Sequence, residues 1–483
     1  MTQSSSPRRA RPRDMRTPEA APTATPSLWN AGPAARAIIW PDLPDTAPAS
    51  AIRDSLYDLI PLGALELDLL ATPAFTRLQG IKQLGFVYRV WPGATHTRFE
   101  HSLGVYYLML RGLRALLASD PGGLAATGLT EEDAQTALAA ALLHDIGHYP
   151  FSHAIEELGY PVTPHERVGR QIIETDEVAA ALQRHGLRAA RVADMIDSPK
   201  DRPLEPGAAL LARLLSGPLD VDKLDYLPRD ARACNVPYGG VDVSRLLGAL
   251  RVIPTPEGPR LGVSDKGISP LNSLLHARQE MFDNVYWHHT NRAMMVMLLR
   301  ATQEAILAGA VTGASLSGHD DASLLALLSD AAMPEATRQL VGALRARRPY
   351  KTALEISASA GKPYQLLDSL FWDQNKRRRV EEALAAETSV AFEEPVAPWE
   401  LLIDIPKPEK WEMNTLVAFA DPPLGMRSLM TWAEATGQRP DDLGLYERHQ
   451  RRIRIVCHER WRDRIRAVGQ PALLAAIERI PAL

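Results

Sequence analysis

The stretch "TEEDAQTALAAALLHDIGHYPFSH", residues 130 to 153, constrains the fold more than any other part of the chain. Thr130 followed three residues later by Asp133 is a helix-capping signal, and the Ala- and Leu-rich run behind it carries a helix as far as His144. Gly147 and Pro150 stop it there. The helix therefore ends on adjacent His144 and Asp145, with His148 and His153 four and nine residues beyond His144.

Six of the thirteen histidines, His96, His101, His144, His148, His153 and His165, fall between positions 96 and 165, where an even spread would put about two. A lone histidine at a helix end is usually a cap or a hydrogen-bonding group, and His185, His276, His319, His449 and His458 belong to that class. The cluster is harder to explain as packing, because each buried imidazole needs its own partner. Imidazole is the commonest side-chain metal ligand, and two histidines with two aspartates would neutralise a divalent cation and leave positions for water and substrate. "HDIGH" also resembles the HExxH helix of zinc proteases, but that motif needs a continuous helix and Gly147 lies inside the turn.

Around this segment the pattern from about residue 50 to 310 is helical. In "RFEHSLGVYYLMLRGLRALL", Phe99, Leu103, Tyr106, Leu110, Leu113 and Leu117 form one apolar stripe. "GAALLARLLSGPLDVDKLDYLPRDA" reads as a helix broken at Gly217-Pro218, an acidic turn and a second helix. "SPLNSLLHARQEMFDNVYWHHTNRAMMVMLLRAT" reads as one long helix with Pro270 in its first turn. Beyond 310, helical stretches fall near 322–346 and 425–436, and "ELLIDI" and "TLVAFA" are strand-like.

With 483 residues, 46% of them apolar and 23% charged, the chain is long for one core, so a main domain and a second lobe are expected. A net charge of -4 gives no global reason for nucleic-acid or membrane binding. "NKRRR" at 375–379 is the one slender pointer to nucleic acid. Cys234 and Cys457 cannot build a disulfide framework, which fits a reducing, cytoplasmic setting. No eighteen-residue apolar run is present. Residues 1–36, rich in Ser, Pro, Arg and Ala, read as a disordered arm whose Arg-rich start mimics a transit peptide, and Met15 is an alternative start.

Four blocks together resemble the HD-domain phosphohydrolases, and within them the deoxynucleoside triphosphate triphosphohydrolases: "RLQGIKQLGFVYRVWPGATHTRFEHSLGVYYL", "ALLHDIGHYPFSH", "PLDVDKLDYLPRDA" and "ARQEMFDNVYWHHT". They occur in family order over roughly residues 70 to 300. The resemblance implies a mainly α fold, with an HD helical core over 50–310 and a smaller α+β lobe over 311–483 serving oligomerisation or regulation. It implies hydrolysis of a dNTP by a homo-oligomer. His101, His144, Asp145 and Asp222 would be the metal ligands. Spacing alone does not choose Asp222 over Asp220 or Asp225. Two imidazoles suit Mn, Fe, Co or Zn, while phosphate oxygens also suit Mg.

By the same resemblance Arg98, Lys223 and Arg278 would meet phosphates, although most such cations are ordinary surface charges. His148, His153 and His165 would be the acid/base and supporting histidines, with His153 protonating the 5′ oxygen. Gln83, Leu84, Tyr226, Asp230 and Tyr286 would read the sugar. Where relatives carry Asp-Thr-Pro-x-Phe-Gln-Arg-Leu-Arg, this chain has "ATPAFTRLQ", so Ala71, Thr76 and Gln79 replace groups that read a guanine activator. Phe282 stands where some relatives place a histidine, and "RRPYK" at 347–351 resembles a basic motif that follows the core. These departures leave room for another phosphoester, such as a nucleoside monophosphate, a cyclic nucleotide or a nucleic-acid end, or for a nucleotide sensor.

Overall fold

Helix α1 (Arg98–Ser119) runs through the middle of the larger core, behind the antiparallel hairpin β1 (Ser50–Asp54) and β2 (Asp58–Leu62). The computed structural model describes residues 48–407, 414–439 and 451–468; the expected N-terminal arm with Met15, and His449, lie outside these. Thr97 and Glu100 open α1 with a reciprocal cap. Leu103, Tyr106, Leu110 and Leu113 are buried as the stripe predicts, but so are His101, Ser102, Val105, Leu108, Met109 and Leu116, while Phe99 and Leu117 are only half-buried. The helix is covered around most of its circumference because other elements pack on several sides of it.

Two of these are α2 (Glu131–Leu143), capped by Thr130 and Asp133 as the sequence indicates, and α5 (Val221–Cys234). Between them lie α3 (His165–Ile173) and α4 (Pro206–Leu215). The break at Gly217-Pro218 separates α4 from α5, and Asp220 caps α5 by accepting from the Lys223 amide at 2.8 Å.

Two expectations fail here. The stretch read as helical throughout contains two hairpins, β1–β2 at its start and β3 (Leu250–Thr255) with β4 (Gly258–Ser264), the latter joined at Pro256-Glu257 with Gly258 at φ +118°. The short strands of the second sit in a Pro- and Gly-rich segment whose turn residues look like mere connections. The single long helix is two, α6 (Ile268–Met281) and α7 (His289–Leu307), separated by a π turn over Phe282–Tyr286 and an extended His288. Aromatic and β-branched "FDNVYWHHT" is weak helix former, and the Trp287 amide reaches back five residues to the Phe282 carbonyl at 3.0 Å.

The C-terminal part holds α8 (Asp321–Leu328), α9 (Glu335–Arg345), strand β5 (Lys351–Ser357), α10 (Gln374–Phe392) and strand β6 (Leu401–Asp404). Three more strands follow, β7 (Leu416–Ala418), β8 (Leu429–Thr431) and β9 (Arg452–Cys457). "ELLIDI" and "TLVAFA" are strands as read. The helix expected at 425–436 is only Trp432–Thr436, behind β8. The fold is mainly α, with β5, β9 and β6 making an antiparallel sheet in the smaller α+β part.

A boundary at 310/311 follows neither core. β7 returns to pair in parallel with β4, Val417 opposite Val263, and Val417, Phe419 and Trp432 join the larger core. Helix α7 instead packs into a second core with α8, α9, Tyr149 and Phe151. "NKRRR" is no free basic patch either: Arg377 is buried near Glu381, and Arg378 is held by Glu304 at 2.8 Å and Glu382 at 2.9 Å. No helix among the described residues is long and apolar enough to cross a membrane.

Buried Arg292 of α7 ties the parts together, reaching Glu157 at 2.9 Å and Asp404 of β6 at 2.7 Å. Without Asp404 the buried Arg292 would keep only Glu157, so Asp404→Ala should lower stability by about 2–5 kcal/mol in urea denaturation. A loss under about 1 kcal/mol would show that the pair does not join these elements.

Candidate metal centre and active site

Three helix ends deliver the charged groups. The cap at Thr97 sets His101 one turn into α1, fully buried; α2 ends at Leu143 with His144 as its C-cap and Asp145 just beyond; the Asp220 cap places Asp222 in the first turn of α5. Asp222 Oδ1 lies 3.0 Å from His101 Nε2 and 3.9 Å from His144 Nε2. Asp145 lies 3.7 Å from His101 Nε2 through Oδ2 and 3.4 Å from His144 Nε2 through Oδ1. His144 donates Nδ1–H to the Ala141 carbonyl at 2.9 Å, which leaves buried Nε2 with no hydrogen-bond partner among the described residues.

Behind His101, Asp225 accepts from Nδ1 at 2.8 Å, which aims Nε2 at Asp145 and Asp222. Buried Arg229 holds Asp225 at 2.8 Å and Asp54 of β1 at 2.8 Å. Burial alone would lower the proton affinity of His101, yet the bonds to Asp222 and Asp225 and the charge of Asp145 push its pKa up to about 10. A buried cluster that draws a proton this strongly fits a cation. The donor set, two imidazoles and two carboxylates with an orphaned buried nitrogen, suits a divalent transition metal. His101, His144 and Asp222 form a group able to hold such an ion, with Asp145 beside it.

The loop after Asp145 builds a second histidine group. Gly147 is pressed against α3, where a Cβ would fall 2.1 Å from the His165 carbonyl and 2.3 Å from the Gly169 amide, so only glycine brings His165 this close. His148 is buried, lies 3.1 Å from Asp145 through Nε2 and stacks on His165 with ring centres 3.8 Å apart. Burial, with the charges of Arg98 and His165, holds His148 well below its usual pKa and so neutral. Phe151 and Ser152, at φ +58° and +60°, are left-handed without being glycine, at roughly 1–2 kcal/mol each. The chain then enters the turn that carries His153. Glu156 bridges His153 Nδ1 at 3.0 Å and His165 Nδ1 at 2.8 Å. Burial would raise the Glu156 carboxyl, but these histidines hold it far below the carboxylate range. His153 is the open end of the chain, its side chain 65% exposed.

The residues assigned to substrate occupy two settings. Tyr286 donates to Asp230 Oδ2 at 2.7 Å, while His96 Nε2 lies 2.7 Å from Asp230 Oδ1. The Gln83 amide bonds the His96 carbonyl at 3.1 Å, Leu84 is half-buried, and Tyr226 stands between His101 and Tyr286 with ring centres 6.5 and 6.4 Å away. Tyr226, Tyr286 and Asp230 thus run in a connected line from His101 to His96, which Gln83 joins through its backbone amide, while no contact ties Leu84 to that line among the described residues. The cations are already engaged. Arg98 is buried on Asp145 at 2.5 Å and Ser152 at 3.0 Å, Lys223 bonds Asp220 at 2.6 Å and the Gly217 carbonyl at 2.7 Å, and Arg278 lies over the Phe282 ring. Ala71, Thr76 and Gln79 are exposed. A cavity of about 810 Å³ next to "RRPYK", lined by His289, Lys351, Glu355, Arg462 and Arg466, contains none of the metal-centre residues.

A model of the HD domain matches residues 98–217, and a model of the HD-associated region matches 241–459. The chain belongs to the HD-domain phosphohydrolase superfamily. Among its relatives, an uncharacterized protein of Methanocaldococcus jannaschii is 33% identical over 57% of this chain and 54% of that one. Deoxynucleoside triphosphate triphosphohydrolase SAMHD1 of Danio rerio is 30% identical over 54% of this chain and 46% of that one. The chain thus spans about half the length of these relatives. The crystal structure of a hypothetical protein from Aquifex aeolicus superposes with a TM-score of 0.66 at 25% identity, covering 87% of this chain and all of that one.

Just beyond the matched HD segment the structure separates three aspartates that spacing leaves equivalent: Asp220 caps, Asp222 faces the histidines, and Asp225 supports His101. Asp225, Arg229, Asp54 and Glu156 were missed as functional groups. Asp222, Asp225 and Arg229 recur at three and four residues on one helix, a signal that was available; Glu156 and Asp54 had none. Asp225→Asn should weaken Mn binding about 10- to 100-fold in calorimetry, because a ligating imidazole loses its orienting carboxylate. Unchanged affinity would remove His101 from the ligand set.

Proposed function

We propose that this HD-domain protein is a metal-dependent deoxynucleoside triphosphate triphosphohydrolase, releasing deoxynucleoside and inorganic triphosphate. The observation that carries the reading is the adjacency, through Asp145 and His148, of the His101/His144/Asp145/Asp222 group to a carboxylate-backed histidine chain ending in exposed His153. The relationship to the SAMHD1 triphosphohydrolases supports it.

His101, His144, Asp145 and Asp222 would hold the ion. When bound, a divalent ion polarises a phosphoryl oxygen and eases deprotonation of a neighbouring water. Water attacks the α-phosphorus, the bond from that phosphorus to the 5′ oxygen breaks, and triphosphate leaves one side and deoxynucleoside the other. His153 donates the proton that the 5′ oxygen takes up, from Nε2, while Glu156 holds Nδ1. Arg98 keeps Asp145 oriented. Next to the metal group, Asp230 accepts the 3′-hydroxyl, and Tyr286, fixed by its bond to Asp230, crowds the place of a 2′-hydroxyl. Assembly as a homo-oligomer is part of this proposal and rests on the family resemblance.

A second reading keeps the same centre but takes a smaller phosphoester, such as a nucleoside monophosphate. It is favoured by the internal partners of Arg98 and Lys223, which leave less charge for a triphosphate. Purified protein with Mn or Mg and each dNTP, followed by chromatography, should yield nucleoside and triphosphate. Mono- or diphosphate products, or inert dNTPs beside cleaved monophosphates, would reject the first reading. His153→Ala should lower kcat about 10²- to 10⁴-fold with metal still bound; an unaltered kcat would remove His153 as the proton donor.

A further inference from the structure

Two stretches of the site, Lys82–Gln83 and Phe151–Ser152, are joined by a carboxylate from a distant part of the chain. Asp321, the first residue of α8, is buried; its Oδ1 accepts the Phe151 amide at 2.7 Å and its Oδ2 the Lys82 amide at 3.0 Å. The Ser152 hydroxyl completes the junction, 3.0 Å from the carbonyls of both Lys82 and Gln83. On the other flank Arg77 donates to the carbonyls of Ile146 at 2.8 Å, His148 at 2.9 Å and His319 at 3.0 Å. The loop from Asp145 to His153 is therefore held through its carbonyls by Arg77 and through an amide by Asp321, and both holds converge on residues 319–321. Gly80 permits the approach: a Cβ there would lie 2.6 Å from the Asp320 carboxylate.

We propose that Asp321 is a positioning residue: by clamping the left-handed Phe151–Ser152 turn onto Lys82–Gln83, it sets where His153 stands relative to the metal group. The turn needs an anchor, because two consecutive non-glycine residues in the left-handed region relax when nothing holds them. Among the described residues no other carboxylate bridges the two amides. Burial pushes the Asp321 carboxyl up to about 6, against the pull of the two amides and of Lys82. A carboxyl raised above its unfolded value takes stability away as pH climbs from about 4 through 6, so ionised Asp321 serves geometry at some expense of stability. The role in turnover rests on the proposed function; the clamp does not.

The test is Asp321→Asn in the full chain, read in two ways. Hydrogen exchange followed by mass spectrometry should show faster exchange of the amides in 81–84 and 149–153. With a dNTP and Mn, kcat should fall roughly tenfold or more, exceeding any change in KM, since the proton donor is misplaced while the metal group is intact. Asp321→Glu, which keeps the charge one methylene further out, should recover part of both, and it serves as the reading if Asp321→Asn does not fold. Unchanged exchange overturns the clamp, and faster exchange with unchanged kcat overturns the positioning role. If the wild-type protein hydrolyses no dNTP, the proposed function fails and the exchange result still decides the clamp.

Discussion

Three carboxylates, Asp145, Asp222 and Asp225, converge on the buried imidazole of His101, and the larger core is arranged so that this is tolerable. Like charges at such separations in a poorly solvated interior repel strongly and need compensation. Arg98 supplies it for Asp145 and Arg229 for Asp225. Asp222, over a third exposed, faces the two imidazoles with no arginine of its own among its ion pairs. The charge that completes the balance is the one a divalent cation brings, and His101 takes a proton so readily because the same field acts on it.

The site divides its work between two kinds of backbone. Its metal group stands on helix ends whose caps, Thr97 with Glu100 and Asp220, fix which residue of each first turn faces inward. Its histidine chain stands on a loop containing two left-handed residues, where position depends on tertiary anchors. That division explains why α8 reaches the side of the site that carries the histidine chain, while the α1–α5 packing sets the positions of His101 and Asp222. It also explains why the second core, with Tyr149 and Phe151 against α7, α8 and α9, abuts the chemistry instead of forming a detached lobe.

Much of this was legible in the sequence. The cap at Thr130, the stop at Gly147, the break at Gly217-Pro218 and the gathering of His101, His144, Asp145 and Asp222 all rest on local signals or on motif blocks in order. What stayed hidden depended on contacts between distant segments. The β3–β4 hairpin is short, and its sheet is completed by a strand more than 150 residues later in sequence. The π turn between α6 and α7 conserves helical periodicity closely enough to pass for helix. Glu156 reads as an ordinary surface acid until His153 and His165 are seen on its two oxygens. Arg98 and Lys223 show the converse: placement beside the ligands was evident, but their internal partners were not.

Crystals grown with Mn and measured at a wavelength where Mn scatters anomalously test the central claim most directly. The account predicts an anomalous peak enclosed by His101, His144, Asp145 and Asp222 that disappears in Asp222→Ala. Four residues elsewhere, His148, His153, Glu156 and His165, also lie close enough together to hold an ion. A peak among them, with none at the first group, would contradict the assignment of ligands and of the proton donor together.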